Sequence, residues 1–126
     1  MDAISTDRAP AAVGPYSQAI RSGEYLFCSG QLPLDPDTGK FAGDDIESQT
    51  VQVLKNVKAV LSGAGLDLSH VVKTTIFLTD MGKFSVVNEI YAGEFGEHKP
   101  ARATVEVSSL PLGALIEIEC IASVTK

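Results

Sequence analysis

The chain lacks tryptophan, carries two cysteines in 126 residues, and has only 6% aromatic residues. Cys28 and Cys120 each fall in an apolar, strand-like run without the paired spacing of a zinc or redox motif, and no secretory leader precedes them. They are expected to be reduced core residues of a cytoplasmic protein, with a disulfide between them left open. No apolar run approaches the ~18 residues that cross a bilayer, so no membrane partner is expected. His70 and His98 lie far apart among ordinary loop residues, and there is no glycine-rich phosphate loop, CxxC pair or HExxH. No metal and no cofactor is therefore expected. Positive charge is also short, with 10 Lys and Arg against 16 Asp and Glu and a net charge of -6. Such a field repels polyanions, which argues against a nucleic-acid partner.

What is present is apolar. Residues of hydrophobic type make up 44% of the chain and charged ones 21%, leaving a small globule short of polar cover. A buried subunit interface would resolve that. The length suits one domain over residues 1–126, burying roughly two-thirds of its unfolded surface.

The pattern along the chain reads as ββ, helix, strand, helix, ββ, an α+β mixed sheet with two helices on one face. Met1 to Gly14 is an irregular arm able to add a short edge strand. Ser17–Arg21 and Tyr25–Ser29 form a hairpin across Ser22-Gly23-Glu24. Asp44 or Asp45 caps a helix whose stripe is Ile46, Val53, Leu54, Val57, Val60, Leu61 and Ala64, closed by Gly63 and Gly65. Val71–Thr79 is apolar at both parities and reads as a central strand covered on both faces. Asp80 caps a second helix with Phe84, Val87, Tyr91 and Phe95 on its buried stripe.

The last two strands carry the unexpected charges. Alternation puts Ala101, Ala103, Val105 and Val107 on one face of the first, and Arg102, Thr104 and Glu106 on the other. In the second, Ile116, Ile118, Cys120, Ala122 and Val124 oppose Leu115, Glu117, Glu119 and Ile121. Arg102 and Glu117 are expected to share a half-apolar surface facing away from the helices, where a neighbouring copy would pack. Three further features can be read two ways. Tyr16, leaving the Gly14-Pro15 bend, reads first as an aromatic plugging a sheet end. Asn88, beside the second helix's stripe, reads first as a packing hydrogen-bonder. Ser29-Gly30 either allows close backbone approach by a ligand or simply turns the chain.

Motifs across nearly the whole chain decide among these. Ala9-Pro10-Ala11-Ala12-Val13-Gly14-Pro15-Tyr16-Ser17-Gln18, Ser29-Gly30-Gln31, Asn56-Val57, Val72-Lys73-Thr74-Thr75, Val87-Asn88, Pro100-Ala101-Arg102 and Ile116-Glu117-Ile118 closely resemble the reactive intermediate (imine/enamine) deaminase family, RidA, also called YjgF or L-PSP. The resemblance implies a chorismate-mutase-like protomer and a homotrimer with a barrel-like interior of sheets, helices outside, and sites in the clefts between protomers. It implies that Arg102 grips a substrate carboxylate and Glu117 activates water. It implies that Tyr16, Ser29, Gly30 and Asn88 line the pocket and that the Thr104 backbone orients water or the substrate nitrogen. Many relatives carry Cys at the position of Thr104, so a thiol nucleophile there is excluded in this chain.

The implied reaction is hydrolysis of 2-imino or enamine acids, such as 2-iminobutanoate and 2-iminopropanoate/2-aminoacrylate, to 2-oxo acids and ammonia. Two other readings accompany it. One is the endoribonuclease or translation-inhibitor activity attributed to some relatives, which the acidic charge balance opposes. The other is a non-catalytic small-carboxylate binder or a chaperone, which would need the Arg102 clamp without a working Glu117.

Overall fold

The computed structural model describes residues 1–125. Six strands and two helices follow in the order β1 (Asp2–Ile4), β2 (Ala19–Ser22), β3 (Tyr25–Gln31), α1 (Ile46–Gly63), β4 (Val71–Leu78), α2 (Phe84–Phe95), β5 (Ala101–Glu106) and β6 (Ile116–Ser123). Short 3-10 turns at Leu68–His70, Met81–Lys83 and Pro111–Gly113 join them. The sheet order is β1-β2-β3-β6-β4-β5. β4 and β5 run parallel while the other neighbours are antiparallel, so the sheet is mixed, as expected.

Local chemistry explains the boundaries. The Ser22↔Tyr25 pairing leaves Gly23 and Glu24 as a two-residue hairpin loop, with Gly23 at φ 60°, a conformation that suits glycine. Of the two aspartates offered for the first helix, Asp45 is the cap, and its carboxylate accepts from the Ser48 N–H at 2.7 Å. Asp80 does not cap α2 directly. Its carboxylate accepts from the Gly82 N–H and caps the Met81–Lys83 turn, which tightens the chain before α2 begins at Phe84.

Both helices cover one face of the sheet. Leu26 and Cys28 of β3, Ile76 and Leu78 of β4, and Ile116, Ile118, Cys120 and Ala122 of β6 pack with Val53, Leu54, Val57, Val60 and Leu61 of α1 and Val87, Tyr91 and Phe95 of α2. Cys28 and Cys120 are direct cross-strand partners, both buried and both free thiols. Their contact and burial push the Cys120 thiol far above its ordinary range, leaving it without thiolate character.

Within this chain the opposite face is open, so the cover expected on the second side of β4 does not come from its own helices. Ile20, Phe27 and Ile121 form one row with Lys73 and Ala101; Phe77 forms another with Glu117 and Val105. Tyr25 and Phe27 are each 47% exposed and Val105 40%. Both helices lie on the other side of the sheet, so Phe77 on the second side of β4 has its row neighbours Val105 and Glu117 but no helix over it among the described residues.

Buried polar side chains then tie the loops to this frame. Asn56 of α1 is 1% exposed, and its Nδ2 donates to the carbonyls of Leu32 at 2.9 Å and Leu34 at 2.8 Å. Its Oδ1 accepts from Gln52 Nε2 at 2.8 Å. Replacing Asn56 by Ala strands two carbonyls and one amide, and is expected to cost about 2–4 kcal/mol. Urea unfolding of Asn56→Ala measures this directly; a loss below about 0.5 kcal/mol, the range of an ordinary surface substitution, would show that the loop is not held this way.

Candidate active site

Each strand's own alternation is as expected, but the two charged faces do not coincide. Arg102 pairs with Thr74 of β4, whereas Glu117 pairs with Phe77 of the same strand. Thr74 and Phe77 are an odd number of residues apart, so their partners point to opposite sides. Arg102 lies on the helix side and Glu117 on the open side. The expectation of one shared surface within the chain is thus wrong. Leu115 is also corrected, because it packs against the helix-side core instead of joining Glu117.

Glu117 stands in a cavity of about 880 Å³ whose lining includes Pro10, Val13, Tyr16, Ser29, Gly30 and Leu112. The β3–β6 register shifts between Cys28 and Gln31, and this irregularity brings Ser29 and Gly30 to the cavity. The Ser29 hydroxyl donates to the Ser17 carbonyl at 2.6 Å and its N–H to the Gln18 carbonyl at 3.0 Å. At Gly30 a Cβ would overlap the Glu117 carboxylate, so glycine is needed for close approach and does more than turn the chain. Tyr16 is 54% exposed in this cavity and plugs no sheet end.

The arm carrying Tyr16 is fixed by a residue whose role alternation does not reveal. Gln18 is buried; its Nε2 donates to the carbonyls of Thr6 at 3.0 Å and Pro10 at 2.8 Å, while its Oε1 accepts from the Thr6 N–H at 2.7 Å. The only trace of this in the sequence is a polar amide immediately before an apolar strand.

The other half lies on α2 and the edge strand β5. Arg102 Nη1 donates to Asn88 Oδ1 at 2.8 Å. Its guanidinium carbon sits 5.3 Å from the Phe84 ring centroid and 5.0 Å from that of Tyr91. A cavity of about 450 Å³ opens beside it, with Asn88, Tyr91, Phe95, His98 and Arg102 in its lining. Thr104 follows on the same side of β5, and its hydroxyl is buried without a hydrogen-bond partner among the described residues. β5 ends the sheet, so one edge of its backbone, Thr104 included, has no strand beside it.

Both histidines are locally engaged. His98 Nε2 lies 2.6 Å from the Val71 carbonyl, which only accepts, so this nitrogen donates. His70 Nδ1 closes the turn begun by Asp67. Among the described residues no group of three His, Cys, Asp or Glu could hold a metal ion.

Residues 6–124 match the family model described as Endoribonuclease L-PSP. The chain is 55% identical over 122 residues to Reactive Intermediate Deaminase A, chloroplastic, of Arabidopsis thaliana, covering 97% of this chain and 65% of that protein. The chain belongs to the RidA, or L-PSP, family. The 2-iminobutanoate/2-iminopropanoate deaminase of Mus musculus is 47% identical over 94% of this chain and 88% of that protein. Among solved structures, E. coli TdcF with bound serine superimposes with a TM-score of 0.93 at 41% identity over 98% of both chains. The expected α+β family fold is therefore the observed one.

Electrostatically the two halves are unlike. Burial, and then the neighbouring charge of Glu119, push the Glu117 carboxyl above its ordinary value of 4.5. Arg102 does not offset this within one chain, because it is on the other side of the sheet. A carboxyl raised on folding destabilises the native state above its folded pKa, and this penalty disappears once pH falls below the unfolded value. Glu117→Gln is accordingly expected to raise the urea midpoint at pH 7.5 and to leave it unchanged at pH 4. An equal gain at both pH values would contradict ionisation as its source.

Proposed function

We propose that the protein hydrolyses 2-imino acids and their enamine tautomers, such as 2-iminobutanoate and 2-iminopropanoate, to 2-oxo acids and ammonia in clefts between the copies of a homotrimer. The observation that carries this reading is the division of the site. A cation with no carboxylate partner among the described residues and a half-buried carboxylate lie on opposite sides of one sheet, and the Glu117 side is an open face with several apolar residues. A second copy packed there brings the Arg102 of one chain towards the Glu117 of the other. The relatives named as deaminases, and the one holding serine, support a small amino-acid-like ligand.

The chemistry asks little of the protein beyond position and proton transfer. Arg102 presents parallel N–H groups to the substrate carboxylate, a fork that lysine cannot reproduce. The carboxylate offsets the Arg102 charge, so burial continues to hold the Glu117 pKa up. Glu117 takes a proton from water as the water oxygen bonds to the imine carbon and returns that proton to the nitrogen, giving a 2-amino-2-hydroxy acid. The C–N bond then breaks as Glu117 passes the hydroxyl proton to the departing nitrogen, releasing ammonia and the 2-oxo acid. An enamine first gains a proton at its β-carbon. Such positioned acid–base catalysis contributes roughly 100- to 10,000-fold.

Tyr16, Ser29 and Gly30 border the water side, and Asn88 and the Thr104 backbone the carboxylate side. Dehydratases dependent on pyridoxal phosphate release such imines, and a cytoplasmic location goes with that source. Although the family model carries a ribonuclease name, the net charge of -6 opposes a polyanionic substrate.

The test generates 2-iminobutanoate from threonine with a dehydratase and traps surviving imine with semicarbazide. The wild-type protein is expected to lower semicarbazone formation, and Arg102→Ala and Glu117→Gln to lose at least about 100-fold in activity. Glu117→Gln is expected still to bind 2-oxobutanoate. Semicarbazone formation left unchanged by the wild type would overturn the deaminase reading.

A further inference from the structure

Two members of the second helix's stripe, Phe84 and Tyr91, converge with the neighbouring Asn88 on one exposed side chain. Phe84, Asn88 and Tyr91 occupy positions i, i+4 and i+7 of α2, one face of a helix, and all three touch Arg102. We propose that the Phe84 and Tyr91 rings are positioning residues that hold the Arg102 guanidinium for a ligand carboxylate without consuming its charge. The proposal rests on the carboxylate-clamp reading of Arg102 given above.

Arg102 sits on an edge strand and is exposed, where a long side chain ordinarily samples many rotamers. Here its flat group is bounded by two π faces at 5.0 and 5.3 Å and by an amide oxygen at 2.8 Å. The Tyr91 ring is itself anchored. Its hydroxyl and that of Thr74 share a buried hydrogen bond of 2.7 Å, and Thr74 is the direct cross-strand partner of Arg102. One row of the sheet therefore sets both the Arg102 backbone and the ring over which its side chain lies.

The chemistry of the restraint matters as much as its geometry. No carboxylate lies within ion-pair distance of Arg102 among the described residues. A carboxylate partner would orient the guanidinium but compete with the ligand for the same donors. Aromatic faces and a neutral amide orient it through the ring quadrupole and one N–H, and leave its full positive charge and its remaining N–H groups for the incoming anion. Packing alone would make Tyr91 and Phe84 interchangeable with aliphatic residues of similar size. Positioning would not.

The experiment measures 2-oxobutanoate binding by calorimetry, steady-state hydrolysis of 2-iminobutanoate and melting temperature for Tyr91→Leu, Phe84→Leu, Tyr91→Phe and Arg102→Ala. Loss of one cation–π contact is expected to weaken binding about 3- to 30-fold in Tyr91→Leu and Phe84→Leu. KM should rise in step while kcat stays within about threefold, as for a lost uniform binding contact. Tyr91→Phe keeps the ring and should bind close to wild type, although it loses the Thr74 bond and melts lower. If both leucine variants bind within twofold of wild type while melting as low as Tyr91→Phe, the rings are packing only and the proposal fails. In that case Arg102→Ala separates the two claims. Loss of binding there leaves the clamp standing without its aromatic positioning, whereas wild-type binding by Arg102→Ala overturns both.

Discussion

Pairing to β4 fixes which way every charged side chain at this site faces. Its parallel partner β5 sets Arg102 opposite Thr74, and its antiparallel partner β6 sets Glu117 opposite Phe77. A one-residue slip of β6 would reverse that strand, burying Glu117 and Glu119 and exposing Ile116, Ile118 and Cys120. The apolar core thus holds the phase of β6, while the contacts of Arg102 with Phe84, Asn88 and Tyr91 go with the phase of β5. The separation of cation and carboxylate follows from these two registers, and a site needing both groups at close range needs two chains.

That division also shapes the electrostatics. Had Arg102 and Glu117 met across one face of one chain, each would have neutralised the other, leaving a surface ion pair of small energetic consequence. Kept apart, the carboxylate is raised by burial and the cation keeps its charge among neutral partners. Close fits preserve this state: glycine at position 30 leaves room for the Glu117 carboxylate, and Gln18 holds the arm that presents Tyr16.

Much of the fold was legible because each element carries its own local signal. The Asp45 cap, the α1 stripe, the Gly23 hairpin and the alternation within β5 and β6 are all properties of short windows. The relative phase of β5 and β6 is not, because it depends on which β4 residue each strand faces. The open second side of β4 was hidden for a similar reason, since apolar residues on an open side read like those covered by their own chain. At Phe84 and Tyr91, a stripe that packs inward also cradles a charge, and periodicity cannot separate these roles. Tyr16, Ser29, Gly30, Asn88 and Thr104 were singled out through the family resemblance more than through any spacing.

The central claim is that Arg102 and Glu117 act across a boundary between chains. It is tested most directly by co-expressing Arg102→Ala and Glu117→Gln chains with different tags and purifying assemblies that contain both. A trimer with two chains of one kind and one of the other has one cleft bordered by an intact Arg102 and an intact Glu117, so about a third of wild-type activity per trimer is expected to return, while each parent stays inactive. Mixed trimers as inactive as their parents would contradict the account.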